Sequence, residues 1–559
     1  MEALLYAYGA AAALRRRLEA EWFGTPPHLM TLGGRRPQGI AAHPHDLRPT
    51  DPERGRQIVE GVFAFAGTTV RVGANGDPFD RPSPSRRFAL ALHRFDWLRD
   101  LLAVGESGVR PGVRLYMDWR RLFGRWNTFA WSGAVLERRV FNLACALKPL
   151  SAQASEAEAD FLQGDLARQA RHLLRVSDDP SRAVERAVAV AVAGCALGGP
   201  AGDALINRSL KRLARQLPVA VAADGGHATR SPQRGLELLF DLLTLDDALS
   251  QRARPTPEPV TKAIDRLGLA TRFFTLADGR LASFQGGEAV DAATIAAALA
   301  HEEPRKPPSH LAQSGYHKLH GVSIEVIADA SAPATGAWST AACAQPLALE
   351  VVCGRDRLIN GSGWTAEANA PAALRVTGAA STATLGEASC GEPLRGFAAK
   401  GLGERLIGGP AKVDARRHET EAAMWLEMSH DGWLPRFGLT HERRLFLDRA
   451  SGELRGEDRF EPPKAREEDA ERRYIPFAVH FHLAPDVDVS LAKDGKTVIL
   501  RGPSNEGRWL RTDAAQVAVE QAAQVVNGET RRTSEVVLRG QVLAHKGGRV
   551  RWKLSPSES

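Results

Sequence analysis

The sequence lacks the features that mark several common classes of protein. Its five cysteines among 559 residues show no CxxC pair or metal-finger spacing, which argues against a disulfide framework. GxSxG, P-loop and HExxH motifs are absent, and no short glycine motif satisfies a dinucleotide fingerprint. No stretch is long and uncharged enough to span a bilayer. The chemistry must therefore be sought in less common patterns.

Charge is not concentrated anywhere either. The 73 basic and 66 acidic residues give a net charge of +7, without a long basic run or a nucleic-acid-binding motif. Such a balance does not select nucleic acid over an anionic polysaccharide. The apolar run 3–14 follows Glu2 and precedes three arginines, the reverse of a secretory signal's charge order. The N-terminus therefore favours a cytoplasmic protein.

What is present is enough apolar sequence for two cores. Hydrophobic residues make up 43% of the chain, and its length exceeds what one core usually supports. From about 86 to 300 they recur at helical spacing, as at Ile206, Leu210, Leu213 and Leu217. Three prolines in the run 301–310 end this pattern. We expect a helical domain over 1–305 and a second domain over 306–559.

In the second half the period changes to two. Phe477, Val479 and Phe481 alternate with smaller or polar residues, and further strand-like runs lie between turn signals. Helices first and strands afterwards predict segregated domains, the second a β-sandwich. "HFH", 480–482, places two imidazoles on one face of a strand, yet no third metal ligand is obvious nearby. We interpret these histidines as solvent-facing and predict no metal.

The stretch "DGGHATRSP", 224–232, combines a glycine turn with His227 and Arg230. A glycine turn lets backbone approach a ligand, histidine exchanges protons near neutral pH, and arginine can neutralise a carboxylate. The same residues would also make an ordinary turn between helices whose Asp and Ser provide caps, and spacing alone favours that turn.

Tyr316 lies where the helical spacing of apolar residues in the first half gives way to the strand alternation of the second half. "SGYHKLHGVSIEVIAD" places Tyr316 just ahead of a strand. A tyrosine in a cleft acts as an acid or base when cations lower its pKa, although tyrosines at such junctions more often only pack there. Its position between domains favours a functional role, because ligands commonly bind in such clefts.

Aromatic residues near arginines are candidates for sugar contacts. "YMDWRRLFGRWNTFAW" contains Trp119, Arg125 and Trp126, and "MSHDGW" places His430 beside Trp433 in a polar corner. Aromatic faces stack on sugars, and arginine pairs with uronate or sulfate. The alternative for the first stretch is an aromatic helix face in the core, which only exposure can decide.

Together these segments resemble the heparinase II/III-like proteins, relatives of polysaccharide lyases. The resemblance rests on "DGGHATRSP", "SGYHKLHGVSIEVIADASAP", "GRDRLI", "MSHDGWLPRFGLTHERRLFL" and "LRGEDRF" in this order, and covers most of the chain. It implies an N-terminal incomplete α/α toroid followed by a C-terminal antiparallel β-sandwich. It also implies cleavage of an acidic, uronate-containing polysaccharide by β-elimination, with no cofactor and no nucleic acid partner.

Carried over by motif, Tyr316 would be the acid or base, and His227 with Arg230 would contact the uronate. His430 would support catalysis from the cleft. Trp119, Arg125, Trp126 and Trp433 would bind the substrate. The family implies a periplasmic or cell-envelope location, in conflict with the N-terminus.

The chain also departs from the family pattern. Cys343 stands where relatives carry the histidine of an AHAG or AHAD motif, and Asn360 and Gly361 occupy the stretch where a carboxylate is expected. We therefore predict no intact family metal site. Two functions stay open, a polysaccharide lyase and a catalytically impaired glycan-binding or cell-envelope protein on the same scaffold. A toroid glycoside hydrolase is a third, and would need paired carboxylates that the sequence does not reveal.

Overall fold

The computed structural model describes residues 2–300, 305–366, 370, 372–463 and 473–557. Helices fill the first half of the chain, interrupted by one β-hairpin. The α-helices are α1 (Glu2–Phe23), α2 (Pro26–Thr31), α3 (Pro52–Val59), α4 (Arg86–Arg94), α5 (Leu98–Leu102), α6 (Glu106–Phe123), α7 (Gly133–Gln153), α8 (Glu156–Leu173), α9 (Ala183–Ala196), α10 (Gly199–Ala220), α11 (Pro232–Gln251), α12 (Glu258–Phe274), α13 (Ala292–Leu299), α14 (Gly396–Leu402) and α15 (Leu434–Phe437). Short 3-10 helices cover Pro180–Arg182, Gly336–Ser339, Ala372–Arg375 and Thr377–Ala379.

Helix α9 is the centre of the helical half. It consists mainly of alanine and valine, and every residue from Val184 to Ala196 is buried. It packs against α7, α8, α10 and α11. A Cβ on Gly202 of α10 would lie 2.0 Å from the carbonyl oxygen of Leu197, so glycine is needed where these two helices approach. The predicted toroid of packed helices is confirmed.

The described strands lie in the second half of the chain, except for the first two, which form the hairpin of the first half. They are β1 (Val62–Phe65), β2 (Thr68–Arg71), β3 (His310–Leu311), β4 (Tyr316–His320), β5 (Ile324–Asp329), β6 (Leu349–Cys353), β7 (Asp356–Asn360), β8 (Ala383–Leu385), β9 (Gly391–Pro393), β10 (Leu406–Gly408), β11 (Val413–Glu419), β12 (Ala423–His430), β13 (Thr440–Asp448), β14 (Leu454–Glu461), β15 (Tyr474–Leu483), β16 (Asp488–Leu491), β17 (Thr497–Arg501), β18 (Gly507–Thr512), β19 (Gln516–Val526), β20 (Glu529–Leu543) and β21 (Gly548–Pro556). Two large antiparallel sheets result, in the orders β11-β12-β13-β14-β21-β18-β17-β16 and β19-β20-β15-β7-β6-β5-β4-β3, with β8 also paired to β15.

The two sheets enclose one apolar core. Phe477, Val479 and Phe481 of β15 are buried in it, as their alternation predicts. On the other face of β15, which is exposed at Tyr474, His482 is only 3% exposed. Its backbone N–H donates to Ser381 Oγ and its Nε2 lies 2.9 Å from the Gly378 carbonyl oxygen. The interpretation of His482 as solvent-facing was therefore wrong, since residues 378–381 cover it.

The nine-stranded sheet carries the helices. Leu311, Tyr316 and Ile327 belong to the same apolar cluster as the helical core. Arg357 of β7 pairs with Asp278 at 2.8 Å, and α14 packs back on α1. The domain boundary predicted at 305 falls between α13 and β3, where residues 301–304 lie outside the described residues. In the described part of the chain, no helix has the length and apolar character needed to cross a membrane.

Candidate active site

The turn between α10 and α11 presents the first group of predicted site residues. Asp224 fixes the turn, because its carboxylate accepts from Gly226 N at 3.1 Å and from Ser314 N at 2.8 Å. Gly225 has φ +88, a conformation that favours glycine. Ser231 caps α11, with Pro232 at its first position. Ser231 is thus a cap as expected, whereas Asp224 does not cap α11 and instead ties the turn to the residues before β4.

His227 is buried in this turn and uncharged. Its Nδ1 lies 2.7 Å from Thr229 Oγ1 and accepts from Thr229 N at 3.3 Å, which leaves the proton on Nε2. Nε2 has no hydrogen-bond partner among the described residues, and the ring centroid lies 5.8 Å from that of Trp338 in an edge-on arrangement. Burial, together with the charge of Arg182, lowers the pKa of His227 to about 3. It offers a donor rather than a base.

Arg230 is fully engaged by the protein. Its guanidinium donates to Asp329 Oδ1 at 2.5 Å and to the carbonyl oxygens of Ser314, Ser331 and Ala332. Three nitrogens share these contacts, so a uronate could bind Arg230 only by displacing them. Asp329 opposes desolvation and raises the pKa of Arg230, which keeps it charged.

Tyr316 lies beneath Arg230 and is sealed from solvent. Its ring is 0% exposed, sits 4.9 Å from Phe274 and 5.4 Å from Phe284, and carries the Arg230 guanidinium at 4.7 Å. Its hydroxyl donates to the Arg230 carbonyl oxygen at 2.8 Å. Burial raises the pKa of Tyr316 well above 10, with Asp329 adding to the effect. The phenol therefore holds its proton.

Asp329, at the end of β5, organises this region, and sequence analysis missed it. It is 0% exposed and accepts from Arg230, and from Gln285 Nε2 at 2.8 Å. Gln285 in turn accepts from Cys343 N at 3.3 Å. We call Arg230, Tyr316, Asp329, Gln285 and Cys343 the junction cluster. The signal available was the acidic residue at the end of "VSIEVIAD", on a strand that is mainly apolar.

Cys343 is a protonated thiol within the junction cluster. It is 6% exposed and packs with Trp364 and Val525. Burial raises its pKa, outweighing the opposite influence of Arg375. A thiol with a raised pKa is a poor nucleophile, base or metal ligand.

His430 belongs to a different network, inside the sandwich. It is 2% exposed, and its Nε2 lies 3.2 Å from Nδ1 of His441, whose Nε2 is 2.8 Å from Asp458 Oδ1. Arg443 donates to the same Asp458 oxygen at 2.7 Å. Burial lowers the pKa of His430 far below its ordinary value. Among the described residues, the hydrogen bonds of His430 lead through His441 to Asp458, and none joins His430 directly to His227 or Tyr316.

The residues predicted to contact a sugar are partly buried in the two cores and partly accessible. Trp119 is 0% exposed and stacks under the Arg139 guanidinium at 4.3 Å, and Trp433 is 1% exposed in the sandwich core. Neither offers a face to a sugar in this conformation, and for Trp119 the core alternative holds. Arg125 is exposed, and Trp126 is half-buried against Phe23. Only these two remain accessible.

A charged cavity in the helical half contains none of the predicted site residues. It has a volume of about 320 Å³ and is lined by Arg48, Arg138, Arg182, Glu185 and Asp241 among others. Asp241 binds Arg48 at 2.7 Å and Arg138 at 2.8 Å, and Arg182 pairs with Glu137. Burial raises the pKa of Glu185 to about 8. The arginines here are largely neutralised by their neighbours.

An incomplete α/α toroid joined to an antiparallel β-sandwich, with a tyrosine at the junction, defines a polysaccharide-lyase-like protein. The chain belongs to the heparinase II/III-like family, whose C-terminal model, "Heparinase II/III-like, C-terminal", matches residues 303–553. The resemblance read from the sequence is confirmed.

One relative and two solved structures extend the comparison. FtsZ-localized protein C of Caulobacter vibrioides (strain NA1000 / CB15N) is 54% identical over 546 residues, covering 97% of this chain and 94% of that protein. The crystal structure of heparinase III has a TM-score of 0.72 at 13% identity, covering 94% of this chain and 88% of that one. A mutant heparan sulfate lyase HepC from Pedobacter heparinus has a TM-score of 0.60 at 15% identity, covering 95% and 87%. At these identities the two structures show the fold alone.

Proposed function

We propose that this protein is a catalytically impaired member of the heparinase II/III-like family. It uses the lyase scaffold to bind a ligand rather than to cleave one. The observation that carries the proposal is the environment of Tyr316. Its hydroxyl is buried, bonded to the Arg230 carbonyl oxygen and held protonated by a raised pKa. A tyrosine in that state neither reaches a sugar nor abstracts a proton from one.

The other requirements of β-elimination are also poorly met. The reaction needs a cation or polar group for the uronate carboxylate, a base for the C5 proton and an acid for the departing O4. Arg230 is committed to Asp329 and three backbone carbonyls, and His227 is neutral with its proton on Nε2. Cys343, in place of the family histidine, keeps its thiol proton. Each group expected to act is therefore occupied or in the wrong protonation state.

The name of the relative supports a proposal about where in the cell this protein acts. FtsZ-localized protein C matches this chain over almost all of its length, and we propose that this chain also localises with FtsZ. That location favours the cytoplasmic alternative over the periplasm or cell envelope. Accessible Arg125 and half-buried Trp126 are the predicted contacts through which the scaffold could still bind an acidic glycan.

The competing function is β-elimination of a uronate polysaccharide. It is favoured by the family fold and by the unpartnered Nε2–H of His227, a buried donor free to bind a ligand oxygen. If substrate binding opened the junction, Arg230 and Tyr316 would be released together, because the tyrosine hydroxyl bonds the arginine's own carbonyl.

The test is to incubate the purified full-length protein with a panel of uronate polysaccharides and to follow ultraviolet absorbance, since elimination leaves a conjugated double bond. A heparinase serves as the positive control, and Tyr316→Phe as the matched variant. We expect no absorbance change with either the native protein or the variant. A rise that Tyr316→Phe abolishes would establish the lyase instead.

Localisation is tested separately with a fluorescent fusion of the full chain. We expect it to coincide with FtsZ at the division site in the source cell. A fusion distributed evenly while FtsZ assembles normally would remove that part of the proposal and leave the absorbance result standing.

A further inference from the structure

Three potential metal ligands converge on two neighbouring strands of the sandwich. His480 and His482 are two residues apart on β15, so their side chains share one face. Glu535 of β20 is the direct antiparallel partner of His482 and presents its carboxylate to both rings. We call these three residues the strand cluster. The carboxylate is 55 positions distant from His480 in sequence, so only the strand pairing reveals it as the third ligand.

The distances within the strand cluster suit a metal ion. Glu535 Oε2 lies 3.0 Å from His480 Nδ1 and 3.4 Å from His482 Nε2, and one ligand atom from each residue falls within 4.8 Å of the others. A tetrahedral zinc ion with bonds of about 2.0–2.1 Å separates its ligand atoms by roughly 3.3 Å. The Gly378 carbonyl oxygen, 2.9 Å from His482 Nε2, accepts the proton of that nitrogen, and a metal ion bound to Nε2 would displace this proton.

One of the two proton arrangements at His480 leaves a place for a cation between the ring and the carboxylate. Thr384 Oγ1 lies 3.2 Å from His480 Nε2 and 3.5 Å from the Ala478 carbonyl oxygen. When the threonine hydroxyl donates to that carbonyl, it accepts from Nε2–H, and Nδ1 then turns a lone pair toward Glu535. Two facing lone pairs need a shared proton or a metal ion. Hydrogen bonding of the outer ring nitrogen is also what orients metal-bound histidines.

Glu535 also acts electrostatically on Arg539, but its ion pairs among the described residues are with histidines. Among the described residues, Glu535 forms ion pairs with His480 and His482 and with no lysine or arginine, while neighbouring Arg539 binds Glu520 at 2.6 and 2.8 Å. The side chains of His480 and Glu535 are each 13% exposed and that of His482 is 4% exposed. A small ion can therefore enter, yet it would be largely shielded once bound.

We propose that His480, His482 and Glu535 bind a divalent transition metal ion, with Zn²⁺ as the preferred occupant. Two imidazoles and one carboxylate are a ligand set that Zn²⁺ accepts. These ligands differ from Cys343 and Asn360, which mark where the family pattern would place its own site. The bound ion would hold β15 and β20 together, a stabilising role independent of whether the protein cuts or binds a glycan.

The test uses full-length protein freed of metal by a chelator and then titrated with Zn²⁺ by calorimetry and with Co²⁺ by visible absorbance. We expect one equivalent of either ion to bind, with a Co²⁺ spectrum of tetrahedral type. Glu535→Gln keeps the size of the side chain and removes its charge, and we expect it to weaken Zn²⁺ binding about tenfold or more. His480→Asn provides a second variant with the same expected loss.

The matched control is His418→Asn, which removes an exposed histidine from β11. It should bind Zn²⁺ like the native protein, and circular dichroism should show that all variants are folded. If the native protein binds no Zn²⁺, or if folded Glu535→Gln binds it with unchanged affinity, the strand cluster is only a hydrogen-bonded histidine–glutamate group and the proposal is overturned.

Discussion

The junction cluster and the strand cluster are both buried, polar and built around one carboxylate, yet their charges are balanced differently. In the junction cluster the protein supplies its own cation, because Arg230 meets Asp329 at 2.5 Å. In the strand cluster Glu535 faces two histidines that are charged only when protonated. A carboxylate that already has its cation holds structure together, whereas one that faces neutral imidazoles can recruit a cation. Sequence motifs pointed to the first cluster as the site, and the geometry points to the second as the better binder of a ligand.

The largest expected effect is at the centre of the junction cluster. Asp329→Ala leaves the Arg230 guanidinium buried without its carboxylate, and removing one partner of a buried ion pair costs about 3–5 kcal/mol. Urea unfolding should show this loss in the free energy of unfolding. Asp414→Ala, which breaks an exposed pair with Lys412, is the control and should leave the midpoint unchanged. A small effect at Asp329 would mean that the junction cluster tolerates an uncompensated cation.

The strand cluster should stabilise the fold only when metal is present. At a free Zn²⁺ concentration of 100 times Kd, binding adds about 2.7 kcal/mol to the free energy of unfolding. The midpoint temperature of thermal unfolding of the native protein should therefore rise with Zn²⁺ and fall to its original value when a chelator is added. Glu535→Gln should show no such shift, and an equal shift in that variant would place the stabilising ion elsewhere.

Tyr316→Phe should lower the free energy of unfolding moderately and should not change turnover in the lyase assay. The change removes the donor to the buried Arg230 carbonyl oxygen, and leaving such an acceptor unpaired costs about 1–3 kcal/mol. Chemical denaturation measures the loss, while the absorbance assay measures turnover. Stability equal to that of the native protein would show that the hydroxyl is not needed to close the junction.

The smallest expected effect, when it is expressed per pH unit, is in pH dependence. The pKa of His227 is about 3 in the folded protein, below the ordinary value of 6.5. Between these values the unfolded chain binds a proton that the folded protein does not, so stability falls as pH falls from 6.5 toward 3. One such histidine contributes a slope of up to about 1.4 kcal/mol per pH unit. His227→Asn should flatten the slope of unfolding free energy against pH by about one proton, and an unchanged slope would show that His227 is protonated in the folded state.

Much of the fold follows from patterns that the chain carries locally. Alternation in β15 predicts that Phe477 and Phe481 face the core, and they do. The apolar face of α10 is likewise correct, since Leu213 and Leu217 are buried. The ordered motifs also identified the family.

The candidate site was less predictable, because burial and pairing are properties of distant segments. Nothing local in "YMDWRRLFGRWNTFAW" distinguishes buried Trp119 from half-buried Trp126. Likewise, "HFH" gives no sign that residues 378–381 cover His482. A histidine or tryptophan has the same sequence signature in a core and in a cleft.

The sequence by itself determined the order of a helical half and a β-sandwich half, the family, and the replacements at Cys343 and Asn360, because periodicity and residue identity are written in the chain. Only the tertiary structure decided that Tyr316 and Arg230 are locked against Asp329, that His430 joins a separate network, and that Glu535 completes a ligand set with His480 and His482. The physical reason is that protonation state, exposure and ligand geometry depend on which remote side chains share a desolvated space, and strand pairing and helix packing create that space.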